Sequence, residues 1–288
     1  MDIKELLKGV RKIEIKSKGL SNHLFAGEYH TAFKGKGMSF SEVRDYAFGD
    51  DIKNIDWNVT ARLNSPFVKV FEEERELTVI LMVDISASLF LGSIRRQKNQ
   101  LISELCAVLS FSAIANNDKV GLLLFSDKVE KFIPPKKGKG HILLIIRELL
   151  NLEPKGSTTN LAVSLEYLNN VVKKKSIVFV LSDFLTSGFE KQLTHSKRRH
   201  DMVGIQVYDP IDSILPDVGL IEILDVESGF KKWVDTSDVH TRNAYNKQFV
   251  NNTKAFKEAF IKAGADTISI STNEDYVKPL IKFFKNRI

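Results

Sequence analysis

The stretch of the sequence with the clearest chemical character is Asp84-Ile-Ser86-Ala-Ser88, which directly follows an apolar run. It places one carboxylate and two hydroxyls at alternate positions, where the chain would leave a buried strand. Oxygen atoms of this kind are the ligands of a hard cation such as Mg²⁺, whereas zinc favours sulfur and imidazole. Taken alone the pattern is weak, because Asp and Ser are also common in turns and helix caps. A metal site therefore requires further oxygen donors from elsewhere in the chain.

Two further oxygen donors occur in matching contexts. Thr159 lies in Gly156-Ser-Thr-Thr-Asn160, ahead of a helical pattern, and Asp183 follows an apolar run that begins at Ile177. Ligands of open α/β sheets bind outside the carboxyl ends of the strands, so these donors share an edge with Asp84 if the sheet is parallel. Three separate stretches that meet at one place favour a metal site over a structural cap. We predict a metal site that is formed by Asp84, Ser86, Ser88, Thr159 and Asp183.

Beyond residue 76, continuous apolar runs alternate with segments of helical period. Runs that are apolar on both faces are typical of strands covered by helices on both sides, as in mostly parallel sheets. Leu161, Leu165, Leu168 and Val172 have the spacing of a crossover helix between two such runs. The pattern predicts a doubly wound, mostly parallel α/β fold. The predicted strands are 77–83, 120–125, 177–181, 202–207 and 267–270, and the predicted helices are 99–115, 161–172, 243–263 and 275–284.

The character of the chain changes near Glu76, after the charged run Glu72-Glu-Glu-Arg-Glu. Residues 1–76 mix a short helical pattern near residues 6–10 with glycines and alternating segments such as Phe67-Val-Lys-Val-Phe. They are predicted to form a small strand-containing subdomain, and residues 77–288 the α/β domain. Within that domain, residues 209–237 contain prolines and glycines that break the alternation, which predicts an inserted loop and hairpin.

Composition indicates an ordinary globular protein, with 43% hydrophobic and 27% charged residues. The single cysteine, Cys106, lies among apolar residues, so we expect it in the core and expect a reducing compartment. The first residues lack the features of a signal peptide, and the apolar run 77–91 is too short to cross a bilayer. We therefore expect a cytoplasmic protein without a membrane span. The six histidines, including His195 and His200, are scattered and are expected at the surface.

The metal-ion-dependent adhesion site of von Willebrand factor A domains resembles the set Asp84, Ser86, Ser88, Thr159 and Asp183. In that family an Asp-x-Ser-x-Ser string, a loop threonine and a later aspartate hold magnesium, and one position stays open for a carboxylate of the ligand. The resemblance implies Mg²⁺ (or Mn²⁺) and a partner that offers an acidic side chain. It also implies direct ligation by Asp84, Ser86, Ser88 and Thr159, with Asp183 acting through water. Register with the family's Thr-Asp-Leu pattern favours Thr159 over Thr158, although Asn160 departs from the usual Asp.

A longer resemblance covers almost all of the chain. Residues 35–46, Gly-Lys-Gly-Met-Ser-Phe-Ser-Glu-Val-Arg-Asp-Tyr, are followed by matching segments at 49–51, 55–58, 61–62, 68–69 and 72–76. Together they resemble the signature of the bacterial family called domain of unknown function 58. That family places its signature before a von Willebrand factor A-like domain, and its members are commonly encoded beside AAA+ ATPases of the MoxR type. The resemblance implies a von Willebrand factor A-like fold and an adaptor or chaperone-like role with such an ATPase.

The charged residues of this signature have two interpretations. They could form ion pairs and turns that hold the two parts of the chain together, or some of them could form a docking surface. A Trp among charges can anchor an interface, which makes Asp50, Asp51 and Trp57 candidates for docking. The residues to which the structural interpretation applies are Arg44, Asp45, Asp50, Asp51, Asp56 and Arg62.

Catalysis is not expected, because familiar catalytic motifs are missing from the sequence. Gly35-Lys-Gly37 lacks the Gly-Lys-Ser/Thr ending of a phosphate loop, and neither Gly-x-Ser-x-Gly nor His-Glu-x-x-His occurs. The enzymatic alternative is Mg²⁺-dependent phosphoryl transfer with Asp84 as nucleophile. A haloacid-dehalogenase-like phosphatase, however, needs a second aspartate as general acid where Ser86 stands.

Weak nucleic-acid binding is a further alternative, since the net charge is +6. The lysines are spread along the chain, which favours a solvated surface over a dedicated basic arm. The function that the sequence predicts best is a non-enzymatic, metal-dependent protein-protein interaction module.

Overall fold

The structure is a computed structural model, and it describes residues 39–72, 76–90, 97–151, 158–224 and 231–287. Outside these ranges lie the helical pattern at 6–10, residues 35–38 and 73–75 of the family signature, and the 225–230 part of the inserted segment. The described residues form two compact units, one that ends at Glu76 and one that begins at Leu77.

The smaller unit contains two antiparallel strands with a short helix between them along the chain. The strands are β1 (Ser39–Asp45) and β2 (Phe67–Glu72), and the helix is α1 (Trp57–Leu63). Asp56 caps α1, because its carboxylate accepts hydrogen bonds from the backbone N–H groups of the first turn. The sequence thus correctly predicts a strand at Phe67 and its neighbours.

Most of the charged signature residues that the structure describes make local contacts. The Arg44 guanidinium forms a two-pronged ion pair with the Asp50 carboxylate, at 2.7 and 2.8 Å. Asp51 accepts a hydrogen bond from the backbone N–H of Lys53 at 3.0 Å and caps a turn of 3-10 helix. These contacts are ion pairs and turns within the smaller unit, and a role in holding the two parts of the chain together stays a prediction. Trp57 is exposed, and its role in docking stays a prediction.

In the larger unit the described strands follow in chain order as β3 (Thr78–Asp84), β4 (Lys119–Phe125), β5 (Val129–Lys136), β6 (Ile177–Ser182), β7 (Asp201–Tyr208), β8 (Leu220–Leu224), β9 (Lys231–Asp235) and β10 (Asp266–Ser271). Six of these form one sheet of order β10-β7-β6-β3-β4-β5, in which only the edge strand β5 is antiparallel to its neighbour. The predicted doubly wound, mostly parallel sheet is confirmed. The pair β8 and β9 forms the predicted hairpin within 209–237.

Helices cover both faces of this sheet. Those that the structure describes are α2 (Lys98–Ala115), α3 (Lys139–Leu150), α4 (Leu161–Val171), α5 (Glu190–Arg199), α6 (Pro210–Ser213), α7 (Val239–Ala263) and α8 (Val277–Asn286). On one face, Ile80 and Met82 of β3 belong to a core with Leu165 of α4 and Phe260 of α7. The central strands β3 and β6 are buried along their whole length, which is why the sequence shows them as continuous apolar runs.

The burial of two residues, Cys106 and His200, tests the predictions made for them from the sequence. Cys106 is buried in α2 as predicted, and burial raises the pKa of its thiol. The expectation of surface histidines is wrong for His200, which is 1% exposed at the end of α5. Burial, with a smaller contribution from the charge of Arg199, lowers the pKa of His200 to about 4, so its ring is neutral at neutral pH.

Within the described ranges, the helices lack the combination of length and hydropathy that a bilayer crossing requires.

The direction in which the chain winds through the sheet reverses beside β3. After β3 the chain adds β4 and β5 on one side, then crosses to add β6, β7 and β10 on the other. Ligands of open α/β sheets bind at such a reversal, outside the carboxyl ends of the strands. The two strands that meet there, β3 and β6, end at Asp84 and Ser182.

Candidate metal centre

The Asp84 carboxylate is the centre of the polar cluster at this edge, and the residue is 1% exposed. Its Oδ1 accepts a hydrogen bond from the backbone N–H of Ser86 at 2.9 Å, and its Oδ2 accepts one from the Ser182 hydroxyl at 2.7 Å. The Thr159 hydroxyl lies 3.3 Å from Oδ2. These neutral donors fix the orientation of the carboxylate without neutralising its charge.

Burial raises the pKa of Asp84 to about 6, and the negative charge of Asp183 acts in the same direction. Hydrogen bonds from Ser182 and Ser86 oppose the increase. The carboxylate is therefore ionised at neutral pH at an energetic cost, which a bound cation would relieve.

Ser86 and Ser88 follow Asp84 as the chain leaves the sheet and enters a turn of 3-10 helix at Ala87–Phe90. Their hydroxyl oxygens lie 3.0 Å apart, and both residues are buried. The alternation of polar residues in Asp84-Ile-Ser86-Ala-Ser88 thus places the two hydroxyls side by side, next to the carboxylate.

Thr159 comes from the segment that precedes α4. Asn160 caps that helix through its side chain, and its backbone N–H donates to the carbonyl of Ser126 at 2.8 Å, just after β4. The Thr186 hydroxyl donates to the Thr159 carbonyl at 3.0 Å. These bonds hold the Thr159 hydroxyl beside Asp84, whereas Thr158 is exposed. The departure of Asn160 from the usual Asp leaves it an effective helix cap.

Asp183, 4% exposed, follows β6 and has a different partner. Its Oδ1 accepts a hydrogen bond from the backbone N–H of Leu185 at 3.3 Å. Its Oδ2 lies 3.4 Å from the ammonium of Lys98, the first residue of α2. Asp183 is therefore next to the site, as predicted, but its carboxylate is already paired with a cation.

The sequence analysis missed Lys98, which is 2% exposed and also lies 3.1 Å from the Asp212 carboxylate. Burial opposes the charged form of the lysine, but the two carboxylates more than offset this effect and raise the pKa of Lys98. Asp212 belongs to α6, where it accepts a hydrogen bond from the backbone N–H of Asp209 at 2.8 Å. Lys98 is therefore charged, and it links the start of α2 to α6.

The sequence analysis missed three residues of the site: Ser182, Lys98 and Asp212. Two of them carry a recognisable sequence signal. Ser182 is a hydroxyl residue directly before Asp183 at the end of an apolar run, and Asp209-Pro-Ile-Asp212 is the pattern of a capping box. Lys98 carries none, because a lysine at the start of a helix is ordinarily solvated.

The oxygen atoms of the cluster fit a hard cation. Bonds of 2.0–2.1 Å in an octahedral Mg²⁺ site place adjacent ligand oxygens about 2.9 Å apart. The Ser86–Ser88 distance of 3.0 Å and the Asp84–Thr159 distance of 3.3 Å lie within a few tenths of this value. The described residues contain no group of three or more His, Cys, Asp or Glu side chains suited to a metal. A cation here would therefore depend on hydroxyl oxygens.

The chain is an α/β protein of the von Willebrand factor A-like class. This class is defined by the strand order, by the antiparallel edge strand and by the polar site at the winding reversal. The chain belongs to the family described as protein of unknown function DUF58, whose model matches residues 42–255. The predicted family membership is thereby confirmed. The uncharacterized protein Rv1480 of Mycobacterium tuberculosis (strain H37Rv) is 27% identical over 290 residues, which cover all of this chain and 91% of that protein.

Two solved structures are similar to the chain at low sequence identity. One is an aerotolerance-related membrane protein from Bacteroides fragilis, with TM-score 0.48 and 13% identity over 73% of this chain and 98% of that one. The other is the SpRpn10 VWA domain, with TM-score 0.40 and 10% identity over 74% of this chain and 96% of that one. Because both TM-scores are below 0.5, the fold of this chain is assigned from its own strand order and from its family.

Proposed function

We propose that this protein is a metal-dependent protein-binding module without catalytic activity. Asp84, Ser86, Ser88 and Thr159 would hold Mg²⁺ (or Mn²⁺) directly, and Asp183 would act through water. When bound, the cation would supply an electrophilic centre for an anionic group. The observation that carries the proposal is the meeting of the Thr159 and Ser182 hydroxyls, from two separate stretches, at the buried Asp84 carboxylate. The paired hydroxyls of Ser86 and Ser88 follow this carboxylate at the winding reversal.

The charge of the cluster favours an acidic partner. Two carboxylates, one of them acting through water, leave a divalent ion incompletely neutralised. An aspartate or glutamate side chain of another protein would complete the charge balance and the coordination. Charged contacts of this kind contribute to specificity and to the rate of association.

Phosphoryl transfer has less support from the residues of the cluster. A haloacid-dehalogenase-like phosphatase needs an aspartate as general acid at the position that Ser86 occupies. A serine hydroxyl is far too weak an acid to protonate a leaving group. The residue at position 86 therefore favours binding over catalysis.

Family resemblance supports a MoxR-type AAA+ ATPase as the partner, with an adaptor or chaperone-like role for this chain. The free and buried thiol of Cys106 supports a cytoplasmic location, where such thiols stay reduced.

Capture of a purified MoxR-type ATPase by immobilised protein tests this proposal. We expect capture in Mg²⁺, and loss of capture in chelator or with Asp84→Ala. The matched control is Asp217→Ala, which removes a surface carboxylate paired with Arg242 at 3.2 Å and should leave capture unchanged. Capture that is indifferent to chelator and to Asp84→Ala would contradict a metal-bridged contact.

A further inference from the structure

Lys98 has an environment that surface lysines do not share. In the ranges that the structure describes, it is the only lysine or arginine that is fully buried. Its ammonium lies between two carboxylates, 3.4 Å from Asp183 and 3.1 Å from Asp212. Burial of a charge is costly unless it is paired, so this arrangement persists only because the three groups compensate one another.

The position of Lys98 changes the charge that a metal would meet. Asp84 is the last residue of β3 and Asp183 directly follows the neighbouring strand β6, and the charge of Asp183 contributes to the raised pKa of Asp84. Without Lys98, the Asp183 carboxylate could contribute its full charge to a nearby divalent cation. With Lys98 in place, Asp183 and Asp212 share one ammonium, so Asp183 is partly neutralised, whereas Asp84 faces no cation among the described residues.

We propose that Lys98 is a built-in counter-ion for Asp183, which competes with the metal for that carboxylate. It lowers the affinity of the site for the cation and leaves the bound cation with uncompensated positive charge. This charge is what an acidic side chain of a partner would neutralise, so Lys98 determines the preference of the site for a carboxylate ligand. The inference rests on the proposed metal-dependent function.

A purely structural role would make a different prediction. Lys98 joins the start of α2 to α6 through Asp212, so its loss would lower stability in either case. A structural lysine, however, would leave the affinity for metal unchanged or reduced. A counter-ion predicts that affinity increases when its charge is removed.

The test uses Lys98→Met, which removes the charge and keeps an unbranched apolar chain. Mn²⁺ affinity is measured by isothermal titration calorimetry, and the melting temperature is measured with and without Mn²⁺. We expect binding that is tighter by about tenfold or more, as follows from removing a unit charge several ångströms from a partly buried ion. We also expect a lower melting temperature without metal and a larger increase when metal is added.

Three further variants show whether the change in Mn²⁺ affinity is due to the charge of Lys98. Lys131→Met removes an exposed lysine that pairs with Glu148 at 2.7 Å, and should leave Mn²⁺ affinity unchanged. Lys98→Arg keeps the charge and should bind Mn²⁺ with an affinity near that of the wild type. Lys98→Gln is neutral but can still donate hydrogen bonds, and it replaces Lys98→Met if that variant does not fold.

A measurement on the wild type keeps the proposal testable even if no neutral variant folds. Addition of Mg²⁺ to lysine-labelled protein should shift the side-chain NMR signal of Lys98 as its contact with Asp183 changes. An unshifted signal, or neutral variants that bind Mn²⁺ no more tightly than the wild type, would overturn the role of Lys98. Absence of any Mg²⁺ or Mn²⁺ binding by the wild type would instead overturn the proposed function.

Discussion

The two aspartates at the winding reversal differ in their partners, although they share residue type, burial and sheet edge. Asp84 receives hydrogen bonds from neutral groups, a backbone N–H and the Ser182 hydroxyl. Asp183 faces the ammonium of Lys98. The comparison shows that burial alone does not define a cation site. The carboxylate that would gain most from a divalent ion is Asp84, which is held in place by dipoles and faces no cation in the part of the chain that the structure describes.

The largest expected effect is a difference in stability between two variants of the metal-free protein, Asp183→Asn and Asp84→Asn. Asp183→Asn leaves the Lys98 ammonium buried with one partner instead of two, and should lower the free energy of unfolding by about 3 kcal/mol. Asp84→Asn removes a buried charge that is not paired with a lysine or arginine of the described residues, and should leave that free energy unchanged or raise it by about 1 kcal/mol. Urea unfolding with chelator present measures both.

Asp217→Asn, at the exposed pair with Arg242, is the reference for this comparison and should change the free energy of unfolding by less than about 1 kcal/mol. Equal losses for Asp84→Asn and Asp183→Asn would show that Lys98 does not distinguish the two carboxylates.

A smaller effect is expected from Asp84 in the dependence of stability on pH. Burial and the charge of Asp183 raise its pKa to about 6, above the ordinary value of 3.8. In the metal-free protein the folded state therefore binds a proton more readily than the unfolded state, so this group contributes stability that is lost as pH rises from about 4 to about 6.

Metal binding should show the opposite dependence on pH, because a protonated carboxyl is a poor ligand. We expect Mn²⁺ affinity to be nearly constant above pH 7 and to fall by up to about tenfold per pH unit below about 6. Titration calorimetry at pH 5, 6, 7 and 8 measures it. An affinity that is constant from pH 5 to 8 would show that Asp84 does not titrate in competition with the metal.

The sequence predicts the parts of the fold whose residues are buried on both faces. The strands β3, β4, β6, β7 and β10 appear as apolar runs because helices cover both sides of them. The edge strand β5 escapes notice because it includes Pro134 and Pro135, which an edge position tolerates. Helix α5 has no apolar period, since Leu193 is its one buried apolar side chain. Helix α3 does have a clear pattern, at Ile142, Ile145, Ile146 and Leu149, which the sequence analysis overlooked.

The residues of the candidate site also differ in whether the sequence alone reveals them. Asp84, Thr159 and Asp183 can be found from the sequence, because each lies at the end of a strand or the start of a helix in a recognisable pattern. Lys98 cannot, since it meets Asp183 across 85 residues and Asp212 across 114. Its burial is a property of the tertiary structure and leaves no local signal.

The most direct test of the metal centre is a calorimetric titration of the wild type and of Asp84→Ala with Mn²⁺ and Mg²⁺ at pH 7.5. We expect the wild type to bind one divalent ion and Asp84→Ala to bind none, while the circular dichroism spectra of the two proteins agree. Binding of equal affinity by a folded Asp84→Ala protein would contradict the assignment of this carboxylate as the centre of the site.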